Sequence, residues 1–97
     1  MKIENLDAVD AIQHWLITPH GSYYGYPNYG NKIYEILYQN RQDINYASGK
    51  IVDDIVADLG IDYAKNIALV EILTDREKFY VVITLSDETY AVGIFDV

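Results

Sequence analysis

The C-terminal third of the chain contains three apolar runs rich in β-branched and aromatic residues, at 67–74, 79–85 and 89–95. Such runs are typical of β-strands. The turns between them, 75–78 and 86–88, can join only antiparallel neighbours, because a parallel pair needs a crossover of about a dozen residues or more. This segment therefore predicts a three-stranded antiparallel meander.

The two faces of this sheet differ less in polarity than is usual. The residues that alternation places on one face of the second run are Phe79, Val81, Ile83 and Leu85. Tyr80 and Val82 make the opposite face apolar as well. We expect one face to cover the helices and the other to be unusually apolar for a solvated surface.

The N-terminal segment predicts a helix over residues 6–17, because apolar side chains recur there at helical spacing. They are Leu6, Val9, Ile12 and Leu16, broadened by Ala8, Ala11 and Trp15. Asn5 or Asp7 is available as the N-cap. Prolines and glycines then interrupt regular structure, so residues 18–30 are expected to form a long ordered loop packed by its own tyrosines.

Two further helices are expected after the loop. A short one covers residues 31–40, and a third runs to Leu59, where Gly60 ends it. Asp43 is expected to cap the third helix. Gly49 weakens the first turns of this helix, so a start only near Ser48 is the alternative. Its apolar stripe lies opposite a polar face, which we interpret as solvated and which consists of Asp53, Asp54 and Asp58.

The whole chain is expected to form a single domain, 1–97, because its length is too short for two. The predicted fold class is α+β, with three helices followed by a three-stranded antiparallel β meander. A domain of this size buries only about 60 to 70% of the surface that its unfolded chain exposes, so a permanent protein partner would help its stability.

The charge balance points to the kind of partner. The sequence has 15 acidic and 7 basic residues, a net charge of -8, and its basic residues are scattered. This argues against nucleic acid, which is bound by clustered cations, and favours a basic protein partner or a role in solubility. The absence of cysteine excludes disulfides and thiolate metal sites. No signal core or membrane-spanning run is evident, so we expect synthesis in the cytoplasm and no membrane partner.

Tyrosine is unusually abundant. Seven of the ten tyrosines lie between Tyr23 and Tyr46. Such side chains suit contact surfaces, because each combines a large rigid apolar ring with a polar tip. A tyrosine-rich edge of the core is an equally good interpretation, and the sequence leaves both open.

No set of residues suggests catalysis. The histidines are His14 and His20, and only Asp7 and Asp10 accompany His14 on its helix, whereas a zinc site needs three or four converging ligands. The glycines form no phosphate-binding loop, and no serine lies in a nucleophile elbow. We therefore predict that the chain is not an enzyme and has no cofactor or metal site.

Two short segments carry a resemblance to a known family. Residues 16–21 read Leu-Ile-Thr-Pro-His-Gly, and residues 27–33 read Pro-Asn-Tyr-Gly-Asn-Lys-Ile. They resemble the signature of the baseplate wedge proteins that initiate the tail sheath in contractile phages, lysozyme-like baseplate proteins with relatives in type VI secretion baseplates. In that family a helix ends in an aliphatic pair and Thr, a Gly follows three residues later, and Pro-x-aromatic-Gly begins the next helix.

Five positions form the structural motif of this resemblance: Thr18, Gly21, Pro27, Tyr29 and Gly30. The Thr18 hydroxyl can cap the preceding helix, and the two glycines can adopt positive φ, which other residues resist. Pro27 fixes a turn that lets Tyr29 pack inward. We expect these residues to form a fixed loop.

The resemblance implies where partners bind. Many family members carry Glu-Pro-Arg between the last helix and the first strand, a motif tied to docking on the wedge. This chain has a different order there, so the wedge-binding assignment moves to Asp62, Tyr63 and Lys65. The third strand is apolar and carries no internal charge, which predicts an unprotected edge for a sheath subunit unless Gly93 marks a protective bulge or the chain covers the edge itself. The sheath-binding residues are then Thr89, Tyr90, Val92, Ile94 and Phe95.

The resemblance thus implies a structural baseplate subunit of a contractile phage tail or related injection system. It would link wedge proteins to the first ring of sheath subunits by β-strand augmentation, in several symmetric copies within the virion. Two alternatives remain. One is a small acidic immunity or antitoxin-like protein-binding module, for which acidity and tyrosine would suit a basic partner. The other is a minor enzyme or ligand-binding domain.

Overall fold

The structure is a computed structural model that describes residues 7–39 and 43–96. Its elements, in chain order, are α1 (Ala8–Leu16), α2 (Ile33–Gln39), α3 (Ile44–Leu59), α4 (Ile61–Ala64), β1 (Ile67–Asp75), β2 (Lys78–Leu85) and β3 (Tyr90–Asp96). The sheet order is β1-β2-β3, and both pairs are antiparallel. The predicted α+β fold with its antiparallel meander is confirmed.

The first helices lie close to their predicted positions. Asp7 precedes α1 as its N-cap without a side-chain cap hydrogen bond. Asn5 and Leu6, at the predicted start of this helix, lie outside the described residues, as does Asn40 at the predicted end of the second helix.

Helix α3 begins at once after its cap rather than near Ser48. The Asp43 carboxylate accepts a hydrogen bond of 3.0 Å from the backbone N–H of Tyr46, as predicted. The buried stripe of α3 is Ala47, Ile51, Ile55 and Leu59, at helical spacing. Burial of a single Ile side chain contributes about 1.5 to 3 kcal/mol, which outweighs the cost of about 1 kcal/mol for Gly49.

The helix α4 was not expected from the sequence. Gly60 ends α3 with φ of 94°, and its N–H donates to the carbonyl of Val56. One further helical turn follows, in which Ala64 is buried. Four residues are too few to show a helical period, so the sequence pattern does not distinguish this turn from a loop.

The core lies between the helices and one face of the sheet. Its largest fully buried side chains are Trp15, Ile12, Ile33, Leu37, Ile51, Ile55, Ile83 and Val81. In β2, Val81, Ile83 and Leu85 are buried and Phe79 is half-buried, so the predicted alternation is confirmed. The outer face exposes Leu69, Leu73, Tyr90 and Ile94, each by half or more of its surface.

Both hairpin turns place a residue other than glycine in the left-handed region. Arg76 has φ of 60° in the two-residue turn between β1 and β2, and Glu88 has φ of 71° in the turn between β2 and β3. The second turn is closed by hydrogen bonds from Glu88 N–H to the Leu85 carbonyl and from Leu85 N–H to the Thr89 carbonyl. A type I turn followed by a left-handed residue is a common three-residue hairpin loop.

Candidate protein-binding surfaces

The loop between α1 and α2 is held at its base by backbone hydrogen bonds. The Asn31 N–H donates to the Thr18 carbonyl, and the His20 N–H donates to the Asn31 carbonyl, both at 2.9 Å. A third bond joins the Gly21 N–H to the Tyr29 carbonyl at 3.0 Å. The two ends of the loop therefore run side by side, and these hydrogen bonds close the segment between them into a compact loop.

The five motif residues behave as predicted. The Thr18 hydroxyl donates to the carbonyl of His14 at 2.6 Å, Tyr29 is half-buried, and Pro27 lies exposed in the turn that leads to it. Gly21 and Gly30 have φ of 83° and 123°. A Cβ atom on Gly30 would lie 2.5 Å from the carbonyl oxygen of Pro19, which is too close for any side chain. The predicted positive φ angles of both glycines and the packing of Tyr29 are confirmed.

Asn31 is a structural residue that the sequence did not single out. It is the only polar residue among the described ones to be fully buried. Its Nδ2 donates to the carbonyls of Trp15 and Leu16 at 2.8 Å and of Thr18 at 3.1 Å, and its Oδ1 accepts from the N–H of Ile33 at 3.2 Å. One amide thus satisfies the carbonyl end of α1 and the amide end of α2, where helices lack internal partners.

Asp58 is not part of a solvated face, which corrects the interpretation of the third helix. Its Oδ2 accepts one hydrogen bond from the Trp15 indole at 2.8 Å and another from the Gly30 N–H at 3.2 Å. The carboxylate therefore joins α3 both to α1 and to the loop. Five residues before it, Asp53 is exposed, and burial raises the pKa of the neighbouring Asp54 carboxyl.

An aromatic cluster lies between α1 and the loop. The ring of Tyr23 lies 5.2 Å from those of His14 and Tyr26 and 5.4 Å from that of Tyr29. His14 Nδ1 and the Tyr29 hydroxyl are 3.1 Å apart. Burial, with a smaller effect of the Asp58 carboxylate and then of Tyr23, raises the pKa of Tyr29 to about 12. Part of the tyrosine set thus packs within the molecule, which agrees with the interpretation of a tyrosine-rich edge of the core.

Other tyrosines suit the contact-surface interpretation. Tyr24 is 96% exposed, and at least half of the surface of Tyr26, Tyr34, Tyr38 and Tyr46 is exposed. No group of three His, Asp or Glu side chains that could hold a metal ion is found within residues 7–39 and 43–96.

The edge of β3 is covered at Val92. Gln13 of α1 donates from Nε2 to the Val92 carbonyl at 2.9 Å, and its Oε1 accepts from the Val92 N–H at 3.0 Å. The expectation that this edge is unprotected is therefore wrong at Val92, because the chain covers it with its own helix. The β2–β3 register is continuous, so Gly93 marks no bulge. A Cβ atom on Gly93 would instead meet the Phe95 ring at 2.7 Å.

The structure separates the other predicted sheath-binding residues. Tyr90 and Ile94 are 64% and 59% exposed on the outer face of the sheet. The Phe95 side chain is buried in the core, with its ring centroid 5.2 Å from that of Tyr34. Thr89 lies in the turn before β3, where the Asp87 carboxylate accepts hydrogen bonds from its N–H and hydroxyl. Phe95 therefore cannot reach a partner without leaving the core.

The edge of β1 that faces away from β2 carries backbone groups that have no hydrogen-bond partner among residues 7–39 and 43–96. Asp75 and Lys78 form the hydrogen-bonded pair that closes the two-residue turn. Along an antiparallel ladder, hydrogen-bonded pairs alternate with pairs whose N–H and C=O groups point away from the partner strand. The N–H and C=O groups of Val70, Ile72 and Thr74 therefore point away from β2. In the described part of the chain no other element hydrogen-bonds to them. The side chains of Leu69 and Leu73 flank this edge on the outer face.

The predicted wedge-binding residues lie at α4. Asp62 and Lys65 are exposed and form an ion pair of 3.8 Å, while Tyr63 packs against the core. Asn66, directly after them, donates from Nδ2 to the carbonyl of Asp62 at 3.0 Å and so ends the turn. The wedge-binding role of this segment remains a prediction.

Comparison with protein-family models, curated proteins and solved structures finds nothing that matches this chain. Among residues 7–39 and 43–96, no helix has the length and apolarity needed to cross a membrane.

Proposed function

We propose that this chain is a non-enzymatic structural subunit of the baseplate of a contractile phage tail or related injection system. In this role it links wedge proteins to the first sheath ring, and the sheath subunit adds an extended segment to its sheet as a further strand. The observation that carries the proposal is the free edge of β1. The loop motif at residues 18–30 resembles that of sheath initiators, and this resemblance is the reason for proposing a contractile tail or related injection system.

Strand addition at β1 follows from the geometry of its edge. Val70, Ile72 and Thr74 offer amides and carbonyls at every second residue, which is the spacing that an added antiparallel or parallel strand requires. The exposed side chains of Leu69 and Leu73 would contact alternate side chains of the incoming strand. Main-chain hydrogen bonds provide affinity in this mode, and the side chains provide specificity.

The opposite edge is a poorer template. An incoming strand at β3 would have to displace Gln13 from both backbone groups of Val92. We therefore place the added strand at β1, and assign to Tyr90 and Ile94 of β3 a contact through the outer face of the sheet.

A matched pair of proline substitutions tests this assignment. The N–H groups of Thr74 on β1 and of Asp96 on β3 both point away from β2, and both side chains are exposed. Proline removes such a donor while leaving the ladder to β2 intact. In cells that make the tail with the variant as the only copy, Thr74→Pro is expected to give baseplates without sheath, and Asp96→Pro to give complete tails. Electron microscopy of purified particles distinguishes them.

The reverse pattern would place the template at β3, and normal tails with both folded variants would reject strand addition. Absence of the chain from purified tail particles, measured by mass spectrometry, would reject the baseplate role itself.

The wedge contact has its own test. Charge reversal by Lys65→Glu is expected to reduce assembly of wedges, because Lys65 is exposed beside Asp62 and would meet the partner directly. The isolated domain should remain folded, since an exposed ion pair contributes less than about 1 kcal/mol. Glu77→Lys, an exposed reversal in the first hairpin turn, serves as the control. Equal wedge assembly in both variants would exclude Lys65 from the contact.

A further inference from the structure

An open pocket of about 360 Å³ lies between the loop and the C-terminal part of α3. Tyr26, Pro27 and Tyr29 form its loop side, and Ala57 and Asp58 form its helix side. The pocket therefore combines two aromatic rings and a proline ring with one carboxylate. It is separate from the sheet edges, which lie on other elements.

Among residues 7–39 and 43–96, no cation lies within ion-pair distance of the carboxylate in this pocket. Both hydrogen bonds that Asp58 accepts come from uncharged donors, the Trp15 indole and the Gly30 amide, and both reach Oδ2. Within the described part of the chain, the one ion pair is that between Asp62 and Lys65. A partly buried carboxylate is normally paired with a cation, because burial without one is costly. Asp58 is thus held in place through Oδ2 by two uncharged donors. Its Oδ1 atom can still accept a hydrogen bond from a charged donor.

The aromatic rings suit the same kind of ligand. A cation over the face of a tyrosine ring is attracted by the negative charge of the π system. A guanidinium group is also planar, so it stacks on a ring while its edge donates to a carboxylate. Tyr29 is half-buried beside this carboxylate, and burial first, then the charge of Asp58, raises the pKa of its phenol.

We infer that this pocket binds the guanidinium group of an arginine side chain presented by a protein partner. Asp58 Oδ1 accepts the hydrogen bond from the guanidinium, and Tyr26 and Tyr29 contact its plane. The net charge of -8 would draw such a partner to the chain. The inference goes beyond the proposed function, because it needs neither a sheet edge nor a tail, and it holds for any partner that presents an exposed arginine here.

The test uses two probes of nearly the same shape. The full chain, labelled with ¹⁵N, is titrated with Nα-acetyl-arginine amide and with the matching citrulline amide, in which the guanidinium is replaced by an uncharged urea. Arginine is expected to shift the amide resonances of Gly25, Gly30 and Ala57, and citrulline is expected to leave them in place. Absence of these shifts with arginine, or equal shifts with both probes, would overturn the inference.

Two pairs of variants separate the site from general electrostatic attraction. Asp58→Asn keeps an oxygen that accepts from Trp15 and Gly30 but removes the charge, and is expected to weaken arginine binding about tenfold or more. Asp53→Asn removes the same charge from an exposed position of the same helix and should bind as the parent chain does. Tyr26→Ala is expected to weaken binding, whereas Tyr24→Ala, outside the pocket, should not.

If Asp58→Asn does not fold, as judged by circular dichroism, the pair of tyrosine variants decides the question. Equal binding by Tyr26→Ala and Tyr24→Ala would reject the pocket as the site.

Discussion

The side-chain amide of Gln13 pairs with the backbone of Val92 as a neighbouring strand would, accepting from its N–H and donating to its carbonyl at 3.0 and 2.9 Å. An exposed strand edge is a template for pairing with other chains, and proteins protect such edges in several ways. Here one glutamine covers the middle of β3.

Replacement of this glutamine should expose the edge. Gln13→Ala is expected to lower the free energy of unfolding by about 1 to 2 kcal/mol, because two hydrogen bonds are lost. It should also make the chain associate with itself as its concentration rises, measured by analytical ultracentrifugation. Gln39→Ala, on an exposed position of α2, is the control. An unchanged melting temperature together with a monomer at every concentration would contradict the role assigned to Gln13.

Asn31 should be among the residues least tolerant of substitution. In Asn31→Asp, an oxygen replaces the Nδ2 that donates to the carbonyls of Trp15, Leu16 and Thr18. The expected loss of stability is about 3 kcal/mol or more, because a carboxylate oxygen would then face buried carbonyl oxygens with no hydrogen-bond donor between them. Urea unfolding measures it. Asn45→Asp, an exposed change of the same kind in the first turn of α3, should be neutral or slightly stabilising.

Two glycines should respond to alanine in opposite directions. Gly30→Ala places a Cβ atom against the backbone of Pro19 and forces alanine to a φ of 123°, so a loss of about 2 to 3 kcal/mol is expected. Gly49 lies inside α3 with no atom within 4 Å of a built Cβ. Gly49→Ala is therefore expected to stabilise the chain by up to about 1 kcal/mol. Thermal unfolding of both variants checks the signs, and the same sign in both would contradict the loop geometry.

Tyr29 should link stability to alkaline pH. Its pKa in the folded chain is raised from 10.0 to about 12, so the folded state holds the phenolic proton more tightly than the unfolded state does. The stability that this group contributes is complete below pH 10 and is lost as the pH rises from 10 towards 12. Tyr29→Phe should make unfolding less dependent on pH in that window, whereas the exposed Tyr24→Phe should not. An equal pH dependence in both variants would exclude Tyr29 as the source.

The sheet could be predicted because its determinants are local. Runs of β-branched residues joined by two short turns allow little other than a meander, and strand alternation then assigns Val81 and Ile83 to the core. The loop motif is local as well, since Gly21 and Gly30 are needed for their backbone angles. In each case the residues that cooperate lie within about one turn or one strand of each other.

The contacts that the sequence did not reveal join distant residues. Asp58 reaches Gly30 across 28 positions and Trp15 across 43, and its place in the helical period is that of a solvated residue. Gln13 reaches Val92 across 79 positions. Periodicity assigns a residue to a face, but which polar side chain meets which backbone group depends on how the faces pack. The residue that covers the edge of β3 and the carboxylate in the loop pocket could not be predicted for this reason.

The bond between the Trp15 indole and the Asp58 carboxylate gives the chain an optical reporter of its own. Trp15 is the one tryptophan in the sequence, it is fully buried, and its N–H donates to the carboxylate that also holds the loop. Its fluorescence emission is therefore expected to respond to the charge and position of Asp58 rather than to solvent. A ligand or partner that binds the Asp58 carboxylate is therefore expected to change the tryptophan emission, so binding at the loop can be followed in real time on the unlabelled chain.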